Sequence, residues 1–160
     1  MDIYKWYRIS RWLYLHHVPV IPGMIKALIR ILWGGGVIPY QAEIGTGTVL
    51  GYQALGIVIH KRCIIGSNCH ISQNVTLGGT SGIYEVPVLG DNVSVGAGAN
   101  IIGPVHVGNN AVIGAGAVVL KDVPDNCIAV GVPARIIEKN RRNKVNEKSD
   151  ACIRNASGSY

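Results

Sequence analysis

The chain has 160 residues, of which 48 % are hydrophobic and only 15 % charged, and its formal net charge is +6. That length fits one domain with a core, and a charged fraction well below the usual figure of about a quarter leaves a side surface of the kind that meets another subunit. The basic balance does not point to nucleic acid: residues 1–33 carry 5 basic groups against 1 acidic, 34–134 carry 3 against 5, and 135–160 carry 7 against 3, so no basic stripe runs along the middle of the chain.

Residues 1–36 read as a helical hairpin. From Ile3 to His17, aromatic residues (Tyr4, Trp6, Tyr7, Trp12, Tyr14) mix with basic groups at helical spacing, and Pro19 and Pro22 end the segment. A second helix is expected from Gly23 to Trp33, with Ile25, Leu28, Ile29 and Leu32 on one face, Lys26 and Arg30 on the other, and Gly34 to Gly36 as its stop. Asp2, Lys5, Arg8 and Arg11 interrupt any signal-peptide core, and no apolar run reaches the roughly 20 residues that span a bilayer. Two roles compete for this hairpin: covering the open end of the domain that follows, or a weak contact of residues 1–33 with an anionic membrane surface.

Residues 37–133 carry a period of six. From Leu89 to Pro124 every six begins with an aliphatic residue (Leu89, Val95, Ile101, Val107, Ile113, Val119) and has a small or β-branched apolar residue four later (Val93, Ala99, Val105, Ala111, Ala117, Val123). A chain that turns a corner every six residues closes one triangular coil in about eighteen, and coils stack. The pattern opens near Pro39 with IGTGTV, slips within LGYQALG, and runs from Ile59 through Ile65, Ile71 and Leu77. Residues 78–88 (GGTSGIYEVPV) lack the inward pattern and read as a loop thrown out of the solenoid, a usual place for function. Cys63 and Cys69 fall on small inward positions, and no CxxC pair exists, so reduced thiols and a cytoplasmic setting are expected. Residues 134–160 read as a short helix from Ala134 to Asn140 and a disordered polar tail containing Cys152.

These sixes, with TLGGT before them and GVPAR after them, resemble the left-handed parallel β-helix acyltransferases, nearest to serine acetyltransferases and the short sugar O-acetyltransferases of polysaccharide clusters. The resemblance implies an all-β left-handed parallel β-helix, acetyl-CoA as co-substrate, no metal, and a homotrimer with clefts between solenoids. It also implies that Gly78, Gly79, Thr80, Ala97 and Ala115 border the pantetheine arm and that Lys121 and Arg135 sit near the nucleotide phosphates, where fixed positive charge is useful. The acid–base groups depart from the pattern. Where serine acetyltransferases carry an aspartate and a histidine before the GIVI segment, this chain has Tyr52 and Gln53, with one residue more, and where they carry a histidine before a proline in the loop it has Val86 before Pro87. Neither Gln53 nor Tyr52 can act as a base near neutral pH.

The remaining histidines supply the candidate base. Adding one coil of eighteen to His60 lands on Gly78, the root of the extruded loop, and His60 follows an inward aliphatic, so its imidazole points outward beside that loop. Glu85 is the expected orienting partner. His70, stacked near Tyr52, is the second choice, His106 reads as a surface turn, and Tyr52, Gln53, His70 and Tyr84 are assigned to the acceptor. The function expected is transfer of acetyl to a hydroxyl of a small acceptor, serine or, because the chain lacks the large helical N-terminal domain associated with cysteine-pathway enzymes, preferably a sugar of a surface polysaccharide. The alternatives are a non-catalytic β-helix scaffold and a zinc enzyme like the γ-class carbonic anhydrases, which needs three histidines where His70 and His106 have no nearby third.

Overall fold

A computed structural model describes residues 3–32 and 36–138. Inward aliphatic residues at the period of six bring short parallel strands onto three faces. One face stacks β1 (Glu43–Ile44), β4 (Ile64–Ile65), β7 (Val88–Leu89) and β10 (His106–Val107). The next stacks β2 (Val49–Leu50), β5 (His70–Ile71), β8 (Ser94–Val95), β11 (Val112–Ile113) and β13 (Cys127–Val130). The third stacks β3 (Val58–Ile59), β6 (Thr76–Gly78), β9 (Asn100–Ile102) and β12 (Val118–Val119). All twelve inward positions named between Leu89 and Val123 are buried, as are Cys63 and Cys69, so the core is a continuous column.

Coil length varies where the sequence pattern breaks. Val88 pairs with His106, Ser94 with Val112 and Asn100 with Val118, each 18 residues on. The coil above carries the loop, and Ile64, His70 and Thr76 pair 24 residues ahead with Val88, Ser94 and Asn100. Glu43 and Val49 pair 21 ahead with Ile64 and His70, while Val58 returns to a spacing of 18 with Thr76. The three extra residues are taken up at the slip, where Tyr52, Gln53 and Ala54 have φ of +48°, +55° and +58° in a left-handed turn. One consequence corrects the sequence reading: His70 stacks on Val49, not near Tyr52, and it is Gly51 that lies over Ser72.

The corners are held by side chains that the period of six does not reveal. Asn68, Asn92, Asn110 and Asn126 stack at one corner with φ between +56° and +58°, a conformation asparagine tolerates because its short amide can bond locally. Beside them, Asp91 Oδ1 accepts the Ser67 N–H at 2.7 Å, Asn109 Oδ1 the Asp91 N–H at 2.8 Å, and Asp125 Oδ1 the Asn109 N–H at 2.7 Å. Each acceptor satisfies a corner amide that no strand partner reaches.

The hairpin forms as α1 (Ile3–Leu15) and α2 (Ile21–Leu32). The second helix begins two residues before the expected Gly23, since Pro22 in the first helical turn loses no hydrogen bond. Its side chains also turn differently from the expected wheel: Ile25 and Lys26 are half-buried, whereas Leu28 is exposed with Met24 and Ile31. Docking on the first coil runs through α1. The Tyr7 hydroxyl donates to the Ala42 carbonyl, Tyr4 to Gly45 at 2.7 Å, and the Arg11 guanidinium to Ala42 at 2.7 Å and Gln41 at 3.0 Å, with an ion pair to Glu43 at 3.1 Å. These donors meet carbonyls that have no coil above them.

At the other end the expected helix from Ala134 is a strand over its described part. β14 (Arg135–Glu138) runs antiparallel to β13, with Val130 opposite Arg135 and Cys127 opposite Glu138. The last coil presents an unpaired edge, and Gly131 at φ +95° lets the chain reverse and cover it. Residues 139–160, including Cys152 and the tail, lie outside the described residues, as do Gly34 and Gly35.

Candidate active site

His60 leaves the inward column one residue after Ile59, at the corner that ends the third face. Its backbone N–H donates to the Leu77 carbonyl at 2.9 Å, and Ile59 pairs with Leu77. The register continues through Ile101 and Val119, so His60, Gly78, Ile102 and Leu120 form one column along the solenoid. The half-buried imidazole therefore stands beside the root of the extruded loop. Its Nδ1 accepts the Arg62 backbone N–H at 3.3 Å, which places the proton of the neutral ring on Nε2. Burial, then the charges of Arg62 and Lys61, hold the imidazole below its ordinary value.

The loop between β6 and β7 is rooted by small residues and closed by a plug. A side chain at Gly78 would meet Ile102 Cδ1 at 3.1 Å, one at Gly79 would meet Val86 Cγ1 at 3.2 Å, and one at Gly103 would meet Thr80 Oγ1 at 3.2 Å. Val86 is 7 % exposed and belongs to the core. Since Val86 turns inward, its neighbour Glu85 turns out to solvent, and Glu85 does not orient His60; the ring's partner is Arg62. Tyr84, also exposed, is held by the guanidinium of Arg62, which lies 4.1 Å from the ring centroid and donates through Nη2 to the Tyr84 carbonyl. Arg62 Nε is buried with no partner. An orphaned donor costs about 1–3 kcal/mol, and a charge-assisted bond of about 1.5–3 kcal/mol with a cation–π contact offsets it. Sequence reasoning missed Arg62 because its contact lies 22 residues away across a loop whose path the period of six does not specify.

Lys121 and Arg135 line one groove with Leu120, Ala129, Pro133 and Ala134, of roughly 540 Å³. The two cations are brought together because the turn that leads into β14 packs on β12, Val118 N–H donating to the Gly131 carbonyl at 3.0 Å and Ala134 N–H to the Val118 carbonyl at 2.8 Å. Ala97 and Ala115 stack on successive coils, with the Gly116 N–H donating to the Ala97 carbonyl at 2.8 Å. They sit at the corner where the third face begins, whereas Gly78, Gly79 and Thr80 sit where it ends. Ala97 lies in the turn before β9 and Gly78 pairs with Ile102 at the far end of that strand, so the two groups stand at opposite edges of the third face. Tyr52 and Gln53 are exposed on the left-handed turn and His70 is exposed on another face, and no contact joins the three to Tyr84 among the described residues. Among those residues, too, no three of His, Cys, Asp and Glu gather as a metal site would require.

Residues 87–121 match a family described as bacterial transferase hexapeptide (six repeats). Serine acetyltransferase from Synechococcus elongatus is 44 % identical over 137 residues, which cover 84 % of this chain and 55 % of that protein. A serine acetyltransferase structure from Brucella abortus superposes with a TM-score of 0.80 at 34 % identity, covering 85 % of this chain and 55 % of the other. The chain is a left-handed β-helix of hexapeptide repeats and is serine acetyltransferase-like. It spans about half the length of the curated relatives it matches. A further Brucella abortus serine acetyltransferase structure, in complex with coenzyme A, superposes with a TM-score of 0.79 at 34 % identity over 84 % of this chain and 54 % of that one.

Proposed function

We propose that this chain is an acetyl-CoA-dependent O-acetyltransferase acting on the hydroxyl of a small acceptor. The observation that carries the proposal is the His60 column: a titratable imidazole, kept neutral, at the root of the long loop in a solenoid whose relatives are serine acetyltransferases. His60 takes the acceptor's proton as the oxygen attacks the thioester carbonyl, and the CoA thiol leaves. In the conformer described the lone pair is on Nδ1, so this role requires the long 3.3 Å bond to Arg62 to open or the ring to exchange tautomers. Lys121 and Arg135, on one groove, would hold the nucleotide phosphates. The split of Ala97 and Ala115 from Gly78 to Thr80 supports a trimer, in which the end of a face on one protomer meets the beginning of a face on the next. Buried thiols agree with a reducing, cytoplasmic setting, burial pushing Cys63 up to about 11.

For the acceptor, relatives that are serine acetyltransferases support serine, and none of them supports the polysaccharide sugar preferred in the sequence reading. Membrane contact through residues 1–33 has as its motive only the outward Trp12, Met24 and Ile31 near basic groups, and it is not part of the proposal. Thiol release from acetyl-CoA should be measured with serine and with a panel of nucleotide sugars. Release with serine supports the proposal as stated, release with a sugar alone moves the acceptor, and release with neither leaves the scaffold reading.

A further inference from the structure

The loop that borders the candidate site has little to hold it. Residues 79–85 are all exposed, Val86 is its plug into the core, and the Ile83 N–H to Thr80 carbonyl bond at 3.1 Å is a turn within the loop itself. Such a segment opens at low free energy unless something outside it makes a tie. Arg62 makes that tie. Its guanidinium covers the Tyr84 ring at 4.1 Å and donates to the Tyr84 carbonyl, so one planar group engages both the side chain and the main chain of the loop's middle. The same residue's backbone N–H holds His60 Nδ1 at 3.3 Å. From this geometry we propose that Arg62 is a positioning residue, its guanidinium clamping the extruded loop through Tyr84 and acting by its charge on the adjoining His60 ring. The proposal deepens the acetyl-transfer reading and rests on it for its kinetic consequence alone.

The chemistry favours a clamp over a passive surface pair. An exposed ion pair is screened and mobile, but here the cation is stacked on a ring and its Nε is buried, so the guanidinium is confined. The charged groups acting on the imidazole are Arg62 and Lys61 of its own turn. Gly78 and Ile102, stacked beside it, carry no charge, and Tyr84 is the titratable loop group brought against Arg62. Removing the guanidinium should therefore free the loop and also raise the pH at which His60 titrates.

The test uses the whole chain with Arg62→Ala, Arg62→Lys, Tyr84→Ala and Tyr84→Phe. Cleavage after Glu85 by a glutamate-specific protease should be about tenfold faster in Arg62→Ala than in the wild type, and unchanged in Tyr84→Phe, which keeps ring and carbonyl. Adding Tyr84→Ala to Arg62→Ala should accelerate it no further, because both remove one link. By NMR, His60 should titrate at higher pH in Arg62→Ala, and Arg62→Lys should restore that titration without restoring protease resistance, since a lysine keeps the charge but not the planar fork. Turnover in Arg62→Ala should fall with the thermal midpoint of the core unchanged. If Arg62→Ala does not fold, Tyr84→Ala carries the protease reading. Wild-type protease resistance in a folded Arg62→Ala chain, or in Tyr84→Ala where that variant stands in, overturns the clamp, and an unmoved His60 titration overturns the electrostatic coupling of the guanidinium to the ring. Neither reading needs activity, so a wild-type chain that releases no thiol refutes acetyl transfer and leaves this proposal standing.

Discussion

In the proposed acetyl transfer His60 is the base, and its surroundings suit that role. Burial and two neighbouring cations disfavour its charged form, so the neutral ring persists to lower pH than in a free histidine. The sign follows directly: activity that needs the neutral ring is complete above the folded value and is lost as pH falls through it. The acid limb of kcat/KM should therefore lie below the ordinary 6.5, and a limb at or above 6.5 would show that another group controls the reaction. Lys121 and Arg135 line one groove, and in the proposed enzyme they hold phosphates remote from the thioester. Replacing either with alanine should raise the KM for acetyl-CoA about tenfold with kcat largely retained, because phosphate contacts bind ground and transition state alike. Steady-state kinetics check this, and equal affinity for dephospho-CoA in the wild type would contradict it.

Among the elements, the strands and the loop were legible, and the closures were not. The six-residue period gave inward residues because each occupies the same place in a repeated corner, and nothing competes with that burial. The tail of the solenoid was misread as a helix because Arg135–Glu138 has no period of its own and is shaped by an open edge that only the assembled coil creates. The left-handed turn at Tyr52 to Ala54 is not legible for a related reason: three consecutive non-glycine residues at positive φ are disfavoured locally and persist because the register of β2 and β3 on the next coil leaves three extra residues to be stored. Of the candidate site, the placement of His60 beside Gly78 follows from adding eighteen, whereas the Arg62 clamp and the outward turn of Glu85 depend on a loop with no repeat. The loop root offers a test. Gly103 has φ +91° and an added Cβ would crowd Thr80, so Gly103→Ala should destabilise the chain by about 1–3 kcal/mol, read as a lower denaturant midpoint. An unchanged midpoint would show that the root is slack.

The whole molecule is a solenoid closed at both ends, by α1 on the first coil and by β14 on the last, which leaves its sides as the surface for assembly. Val49, Val58 and Ile64 are exposed on the sides of the first coils, and Leu120 and Val132 near the last. Apolar sides, together with two half-slots at opposite edges of one face, predict a closed trimer, and light scattering at micromolar concentration should give three times the chain mass. A monomer would leave Ala97 and Ala115 without a partner across a cleft. The most direct measurement takes wild type, His60→Ala and His70→Ala side by side, recording thiol release from acetyl-CoA with the productive acceptor and acetyl-CoA affinity for each. His60→Ala should lose about 10² to 10⁴ in turnover with its affinity kept, and His70→Ala should stay near wild type. A dead His70→Ala beside a near-native His60→Ala would contradict the placement of the base at the root of the loop.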